Sequence, residues 1–389
     1  MSGSFSLSRH LPRVALLLGN VAIGLSVLAP AGMLAELAVG LNVGIHDAGL
    51  LVTYGAVVLC ISSPLGAWLT SRVDRRKLLI ATIAILALGE AATAFAPDYW
   101  TVLVLRLVLL AAAALYTPQA AATVAMIVPE KERPGAIAFV FLGWSLAIAA
   151  GLPLITFLTV NFGWRAAYAI LATLGFVICV LLRFALPAGL QGQPLSLASF
   201  GIIARNTTIG LILLITLLAT SGQFTVTIYL APLIEKLTGA GPAIAGTFFA
   251  IFGVAGLVGN IAATAVVPRL GAQKTFAFCL ALTFAGLALW TLGAGSLFVM
   301  GAGIAIWGLG FLASNSMQQA RLAAAAPELA GASIALNTSL LYVGQAVGSG
   351  TGGLLFVHGA YGATGYVALA FVVASAVVLA LIWERRRIA

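Results

Sequence analysis

Residues 13–37 read RVALLLGNVAIGLSVLAPAGMLAEL, an apolar run interrupted only by small and amide side chains before Glu36. An α-helix rises about 1.5 Å per residue, so such a run can cross the ~30 Å hydrocarbon core of a bilayer. Eleven more runs of this kind follow. They occupy residues 48–70, 78–96, 100–127, 135–160, 164–187, 207–232, 243–267, 274–294, 296–319, 329–356 and 364–383. We therefore expect an all-α membrane protein with twelve transmembrane helices, numbered here as spans 1–12.

The composition excludes several classes of protein. The chain is 62% hydrophobic and 7% charged, whereas soluble domains carry about 25% charged residues. The basic residues behind the net charge of +9 fall at alternate breaks between the apolar runs and do not form one solvated patch, so a nucleic-acid partner is not expected. The three cysteines lie inside apolar runs, which argues against a metal cluster or a disulfide framework. No phosphate-binding loop, cofactor motif or catalytic cluster of His, Asp or Cys is present, so an enzyme is not expected.

Basic residues flank alternate ends of the spans. One side carries Arg72, Arg75, Arg76, Lys77, Lys131, Arg133, Arg183, Arg205, Arg269, Lys274, Arg321 and Arg385, Arg386 and Arg387. The other side carries only Arg165 and Lys236. Since cytoplasmic loops are enriched in Lys and Arg, this asymmetry predicts that both termini are cytoplasmic and that the lipid bilayer of an inner membrane is the environment.

The chain reads as two related halves. Residues 188–206 form the longest polar connection, which predicts a cytoplasmic linker between a six-helix bundle at 1–187 and a second at 207–389. The tripeptide Leu-Ala-Pro occurs at 28–30 in span 1 and again at 230–232 in span 7. A parallel repeat of six plus six helices is typical of transporters that rock two bundles about a central site.

Three segments carry sequence motifs. The loop after span 2 reads GAWLTSRVDRRK at 66–77, and span 5 contains Gly143, Gly151 and Pro153 ahead of Phe-Gly-Trp-Arg at 162–165. Span 4 contains Arg106 followed by Tyr-Thr-Pro-Gln at 116–119. Small residues in a span permit close helix packing, and a proline frees a carbonyl and permits bending.

These segments resemble the major facilitator superfamily, and within it the drug:proton antiporters with twelve spans that also include bacterial sugar, purine and chloramphenicol exporters. The resemblance implies a gate loop at Arg72, Asp74, Arg75 and Arg76, although Ser71 stands where the family usually has Asp, and Asp74 where it usually has Gly. It implies an antiporter motif at Gly143, Gly151 and Pro153, and a role for Arg106 in proton transfer. It further implies a monomer whose cavity is lined by spans 1, 4, 7 and 10.

Glu90 in span 3 is the one carboxylate placed well inside the hydrocarbon. Glu90 and Arg106 each lie eight residues from Asp98 at the turn between spans 3 and 4. At ~1.5 Å per residue they reach the same depth in an antiparallel hairpin. We therefore expect Glu90 and Arg106 to pair or to share a hydrogen-bond network. The alternative is that Glu90 extends toward the membrane interface.

Polar and aromatic side chains within the spans are candidates for the substrate cavity. They are Asn20, Tyr116, Gln119, Gln223, Phe224, Thr227, Tyr229, Asn315, Gln318, Asn337 and Tyr342. Hydrogen bonding between helices, without substrate contact, is an equally good interpretation of each residue alone. Amides, hydroxyls and one Arg favour neutral or anionic substrates over multivalent cations.

The function expected from these observations is export of small organic molecules, drugs or metabolites, by alternating access with proton antiport. The alternative is an exporter of sugars, purines or amino-acid derivatives, or an uncoupled facilitator. The expected partners are the small-molecule substrate and protons.

Overall fold

The computed structural model describes residues 4–129, 132–191, 205–325 and 330–388, and these residues form helices joined by short turns. Eleven described helices are long and apolar enough to cross a membrane. One of them, Pro242–Leu292, has 51 residues and bends at Gly271, where φ is 77°. That helix contains spans 8 and 9, so the described helices make the twelve expected crossings. Lys131 and residues 192–204 of the expected linker lie outside the described residues.

The helices of the two halves have matching order. The first half contains Ser4–Gly32 with Leu34–Gly40 (span 1), Ile45–Leu69 (span 2), Arg75–Ala94 (span 3), Tyr99–Ile127 (span 4), Arg133–Leu146 with the π-helical turn Ala147–Gly151 and Leu152–Phe162 (span 5), and Trp164–Ala185 (span 6). The second half contains Thr207–Thr227 with Leu230–Thr238 (span 7), Pro242–Leu292 (spans 8 and 9), Leu297–Ala325 (span 10), Ala330–Val357 (span 11) and Ala363–Ile388 (span 12).

Spans 1 and 7 are each broken near one end, which the expectation of continuous helices did not include. Span 1 is interrupted at Met33. Span 7 is interrupted before Leu230 and then continues to Thr238 instead of ending at 232. Pro232 has no N–H for the carbonyl of Ile228, but it fits the first turn of a new helix, so the chain restarts there. The two breaks occupy corresponding places in the two halves.

The twelve crossings define two faces of the molecule. The terminal face carries Ser4 and Ile388, the ends of the described part of the chain, and the turns near residues 70–74, 128–129 and 271. The distal face carries the turns near residues 41–44, 95–98, 239–241, 293–296 and 358–362. These two names are used below.

The two bundles meet through spans 2 and 11, through spans 5 and 8, and through the distal ends of spans 1 and 7. Thr53 of span 2 and Ser349 of span 11 share a hydrogen bond of 2.7 Å. A β-carbon built on Gly253 of span 8 would overlap the main chain of Ala149 in the π-helical turn. The hydroxyl pair, the contact at Gly253 and the contact of spans 1 and 7 lie between the middle of the molecule and the distal face, where the bundles are closed against each other. Spans 2 and 11 also meet nearer the terminal face, where Ser339 Oγ donates to the carbonyl of Cys60 at 3.3 Å.

Span 5, which carries the expected antiporter motif, contacts span 1 of its own bundle and span 8 of the other. Gly143 and Gly151 pack against span 1, where a β-carbon would overlap main-chain atoms of Leu17 and the side chain of Leu25. Pro153 approaches Gly246 of span 8. The π-helical turn between the two glycines has a wider bore than an α-helix, a feature that is frequent at functional sites. Span 5 is therefore built to pack closely on both neighbours.

The close approach at Gly253 generates the first prediction. Gly253→Ala should weaken the distal closure by about 1–3 kcal/mol, because its methyl group meets main chain that cannot rotate away. Gly246→Ala on the same helix is the matched control, since its β-carbon would lie 3.9 Å from Pro153 Cα. The readout is maleimide labelling of Thr53→Cys, added from the distal side of vesicles, in a chain without native cysteines. Labelling should rise only with Gly253→Ala, and equal labelling of both variants would contradict this account of the closure.

Candidate functional site

Asn20 joins three helices inside the first bundle. Its Nδ2 donates to the carbonyl of Val140 at 2.9 Å, and its Oδ1 accepts a hydrogen bond from Thr117 Oγ1 at 2.8 Å. Trp144 Nε1 donates to the same Thr117 Oγ1 at 3.2 Å. Asn20 is fully buried, whereas Thr117 and Trp144 are partly exposed. Asn20 therefore positions span 4 against span 5. Thr117 and Trp144 form a partly exposed polar surface on the first bundle.

The second bundle has a larger amide and hydroxyl cluster on spans 7, 10 and 11. Thr216 Oγ1 donates to Asn337 Oδ1 at 2.7 Å, and Asn337 Nδ2 donates to Asn315 Oδ1 at 3.2 Å. Gln318 Nε2 donates to Thr216 Oγ1 and to the carbonyl of Ile212, both at 3.0 Å. Three of the expected cavity residues are thus brought together, and Asn315 is the partly exposed member. Thr216 was not among the candidates, because a threonine in a helix ordinarily bonds its own backbone.

A glutamine in each bundle accepts a hydrogen bond from a buried arginine. Arg75 donates to Gln119 of span 4, and Arg321 donates to Gln318 of span 10. Each arginine is 5% exposed. The charge pattern of the sequence places both arginines in basic flanks and does not predict this arrangement. The spacing of three residues between Gln318 and Arg321, one helical turn, was a signal for the second pair.

Aromatic side chains surround Gln223 of span 7. Trp307 Nε1 donates to Gln223 Oε1 at 3.0 Å. Phe252 lies between Trp307 and Phe311, with ring centroids 4.9 and 4.8 Å away. Phe224 lies 6.2 Å from Phe311. This cluster is largely buried and packs span 7 against spans 8 and 10.

The other candidate side chains are buried. Tyr116 is fully buried and donates to the carbonyl of Leu16 at 3.4 Å. Thr227 bonds the carbonyl of Gln223 in its own helix. Tyr229 stacks on Phe356 at the distal closure, and Tyr342 is 6% exposed. Contact of these four with a substrate stays a prediction.

The gate loop after span 2 is fastened to the first bundle. Asp74 accepts hydrogen bonds from the N–H of Lys77 at 3.0 Å and of Gly189 at 2.6 Å. Partial burial favours the neutral acid, but these N–H groups, that of Arg76 and the charge of Lys77 outweigh it and hold the pKa of Asp74 below its usual range. Arg76 donates to the carbonyl of Arg183 at the end of span 6. Arg72 is exposed. The loop thus ties span 3 to span 6.

Glu90 and Arg106 are linked through Ser26 of span 1. The Ser26 hydroxyl donates to Glu90 Oε1, and the Ser26 carbonyl accepts from Arg106 Nη1 at 3.0 Å. The structure shows no direct ion pair between the two charges, both of which it describes. Glu90 is 1% exposed, so it does not extend to the membrane interface. Of the two arrangements expected for this pair, the structure has the shared network.

Arg106 is held by main-chain carbonyls. Besides Ser26, it donates to the carbonyl of Val27 at 2.7 Å and to that of Leu51 in span 2 at 2.8 Å. The Ser26 carbonyl needs such a donor, because the residue four positions later is Pro30, which has no N–H. Arg106 therefore supplies the hydrogen bond that Pro30 removes from span 1.

No group of three His, Cys, Asp or Glu side chains that could hold a metal ion occurs in the described part of the chain.

A family model described as Major Facilitator Superfamily matches residues 16–349. The chain belongs to this family. The expected membership of this superfamily is confirmed, and the family consists of transporters, which are not enzymes. Transport across a membrane is therefore the activity of this chain.

Named relatives cover nearly the whole chain. The "Inner membrane transport protein YdhP" of Escherichia coli (strain K12) is 30% identical over 90% of this chain and 89% of its own length. A "Probable sugar efflux transporter" of Helicobacter pylori (strain ATCC 700392 / 26695) is 26% identical over 92% of this chain and 90% of its own.

Solved structures show the same fold at lower identity. A D-xylose–proton symporter aligns with a TM-score of 0.76 and 16% identity, covering 94% of this chain and 96% of its own. A bacterial homologue of the human lysosomal transporter Spinster, described as inward-facing and occupied, aligns with a TM-score of 0.70 and 15% identity over 98% and 97%.

The contact between Arg106 and the Pro30 turn generates a stability prediction. Arg106→Met should be strongly destabilising, because it leaves the Ser26 carbonyl without a donor, at about 1–3 kcal/mol for that group alone. Pro30→Ala restores an N–H at position 30, so part of this loss should disappear in the double variant. The measurement is a thermal-unfolding cycle of the four proteins in detergent.

The control for this cycle is Pro118→Ala, which restores an N–H in span 4 far from Arg106. Its effect on thermal stability should be additive with that of Arg106→Met. If the Pro30 cycle is also additive, Arg106 does not replace the missing donor.

Proposed function

We propose that this chain exports a small, neutral, polar organic molecule, of the size and character of a sugar, from the bacterial cytoplasm in exchange for protons. The observation that carries the proposal is the chemistry of the two bundle surfaces. They offer amides and hydroxyls with no carboxylate in either described cluster, together with a partly exposed indole at Trp144. Paired donors and acceptors beside an aromatic face suit a polyhydroxylated solute.

The orientation of the chain in the membrane is assigned from the charges of the two faces. Arg72, Arg76 and Arg183 lie at the terminal face, and Arg165 and Lys236 lie at the distal face. We assign the terminal face to the cytoplasm by the positive-inside rule. Because the bundles are closed against each other toward the distal face, we assign this conformation to the state that faces the cytoplasm, from which an exporter loads its substrate. The relative named as an inner membrane transport protein supports the inner membrane as the location, and the one named as a sugar efflux transporter supports export as the direction.

We assign proton exchange to Glu90. It is the one carboxylate buried within a described span, and its Oε2 has no hydrogen-bond partner. Arg106 does not neutralise it directly, because the guanidinium is engaged by three carbonyls. A carboxyl that has no counter-ion bonded to it can be protonated at lower cost than one held in an ion pair.

The transport unit is a monomer.

The substrate class is tested by thermal shift on purified protein. D-xylose, D-glucose and lactose should raise the unfolding temperature, whereas tetraphenylphosphonium should not, because no described carboxylate in the clusters can pair with it. Asn315→Ala should weaken sugar binding about tenfold, the equivalent of one good hydrogen bond. Asn161→Ala, at the exposed distal end of span 5, is the control. Stabilisation by the cation alone would reject the proposed substrate class.

Proton coupling is tested in proteoliposomes with a sugar that passes the binding screen. Sugar efflux should be accompanied by proton movement in the opposite direction. Glu90→Gln should abolish that proton movement while sugar counterflow continues, because exchange of sugar for sugar needs no change of protonation. Transport by the wild type without proton movement, or undiminished proton movement in Glu90→Gln, would reject coupling at Glu90.

A further inference from the structure

Ser26 occupies the position between the buried acid and the buried base of the first bundle. Its side chain bonds Glu90 of span 3, and its main chain bonds Arg106 of span 4. Ser26 is 2% exposed. The groups that face Glu90 from the helices around it are Ser26, Arg106 and, from span 6, the buried hydroxyl of Tyr168. Ser26 is the one described side chain that donates to the carboxyl group.

We propose that Ser26 is the positioning residue through which protonation of Glu90 controls how firmly Arg106 holds span 1 at Pro30. The inference rests on the proposed proton exchange at Glu90.

The main-chain carbonyls of span 1 and the carboxylate of Glu90 compete for the Arg106 guanidinium. When Glu90 is protonated, Arg106 is the only charge in the network and stays on the carbonyls of Ser26 and Val27. When Glu90 is ionised, its negative charge attracts Arg106 in a medium of low dielectric constant, and the carbonyls lose part of their donor. The Ser26 hydroxyl supplies the ionised carboxylate with an alternative donor, which keeps it from becoming locked to Arg106.

The consequence reaches the distal closure through span 1. After Pro30, the carbonyl of Gly32 accepts a hydrogen bond from Thr156 Oγ1 at 2.9 Å, and the helix breaks at Met33. The segment Leu34–Gly40 that follows packs against the distal segment of span 7. When Arg106 stays bonded to the carbonyls of Ser26 and Val27, the distal end of span 1 stays packed against span 7. Protonation of Glu90 therefore favours the closed distal face. This is the sense that proton antiport requires, since the protonated, empty carrier must return to the cytoplasmic side.

The experiment measures the distance between spin labels at Val39→Cys and Lys236→Cys, on the distal segments of spans 1 and 7, by pulsed electron paramagnetic resonance. The native cysteines are replaced, and full-length protein is compared at pH 5 and pH 8. Wild type should show the short distance at pH 5 and a longer population at pH 8. Glu90→Gln should keep the short distance at both pH values. Ser26→Ala should lose the pH response, and Ser375→Ala, a buried serine bonded within span 12, should retain it.

A Ser26→Ala protein with the full wild-type response would overturn the role of Ser26, while the wild-type and Glu90→Gln results would still support Glu90. A wild-type response that survives in Glu90→Gln, or no response in wild type, would reject the proton site itself. If Ser26→Ala does not fold, Ser26→Thr and Ser26→Val give the same comparison, because they match in shape and differ in the hydroxyl. Thr should respond and Val should not; equal responses would overturn the inference.

Discussion

The charge of Arg106 has to be stabilised without water, and the structure does so with main-chain carbonyls. An arginine at the centre of a membrane helix costs at least about 2.5–3.5 kcal/mol on insertion scales, so it is kept only where partners are arranged for it. Here the partners are carbonyls of spans 1 and 2, one of them freed by Pro30. The carbonyl that Pro30 leaves without a donor accepts a hydrogen bond from Arg106, and the same bond stabilises the buried charge. These bonds join spans 1, 2 and 4 into a single unit.

The contacts between bundles are of a different kind. Inside each bundle, hydrogen bonds join side chains to main chain, and the glycines of span 11 let span 7 approach its backbone. Between bundles, closure depends on small residues such as Gly253 and Ala149 and on the hydroxyl pair of Thr53 and Ser349. Van der Waals contact between small residues can separate and form again at little cost. Rigid bundles joined by a weak, close-fitting contact are what rocking requires.

Much of this architecture follows from the sequence because the bilayer sets the length of every span. Hydropathy predicted the twelve spans, and counting residues from Asp98 placed Glu90 and Arg106 at one depth. The role of Ser26 was not predicted. Pro30 shows that a carbonyl is free, but only the packing of spans 1 and 4 shows which side chain reaches it. The burial of Arg75 against Gln119 was missed for the same reason, since a basic residue at a helix end is ordinarily solvated.

Alternating access is the central claim, and sided labelling of the cavity tests it most directly. Asn315→Cys, as the single cysteine, would be exposed to a membrane-impermeant maleimide on right-side-out and inside-out vesicles, with and without a proton gradient. The account predicts labelling from the cytoplasmic side at rest and a gain of labelling from the opposite side when the gradient favours opening. Labelling from one side alone under every condition, or from both sides at once, would contradict it.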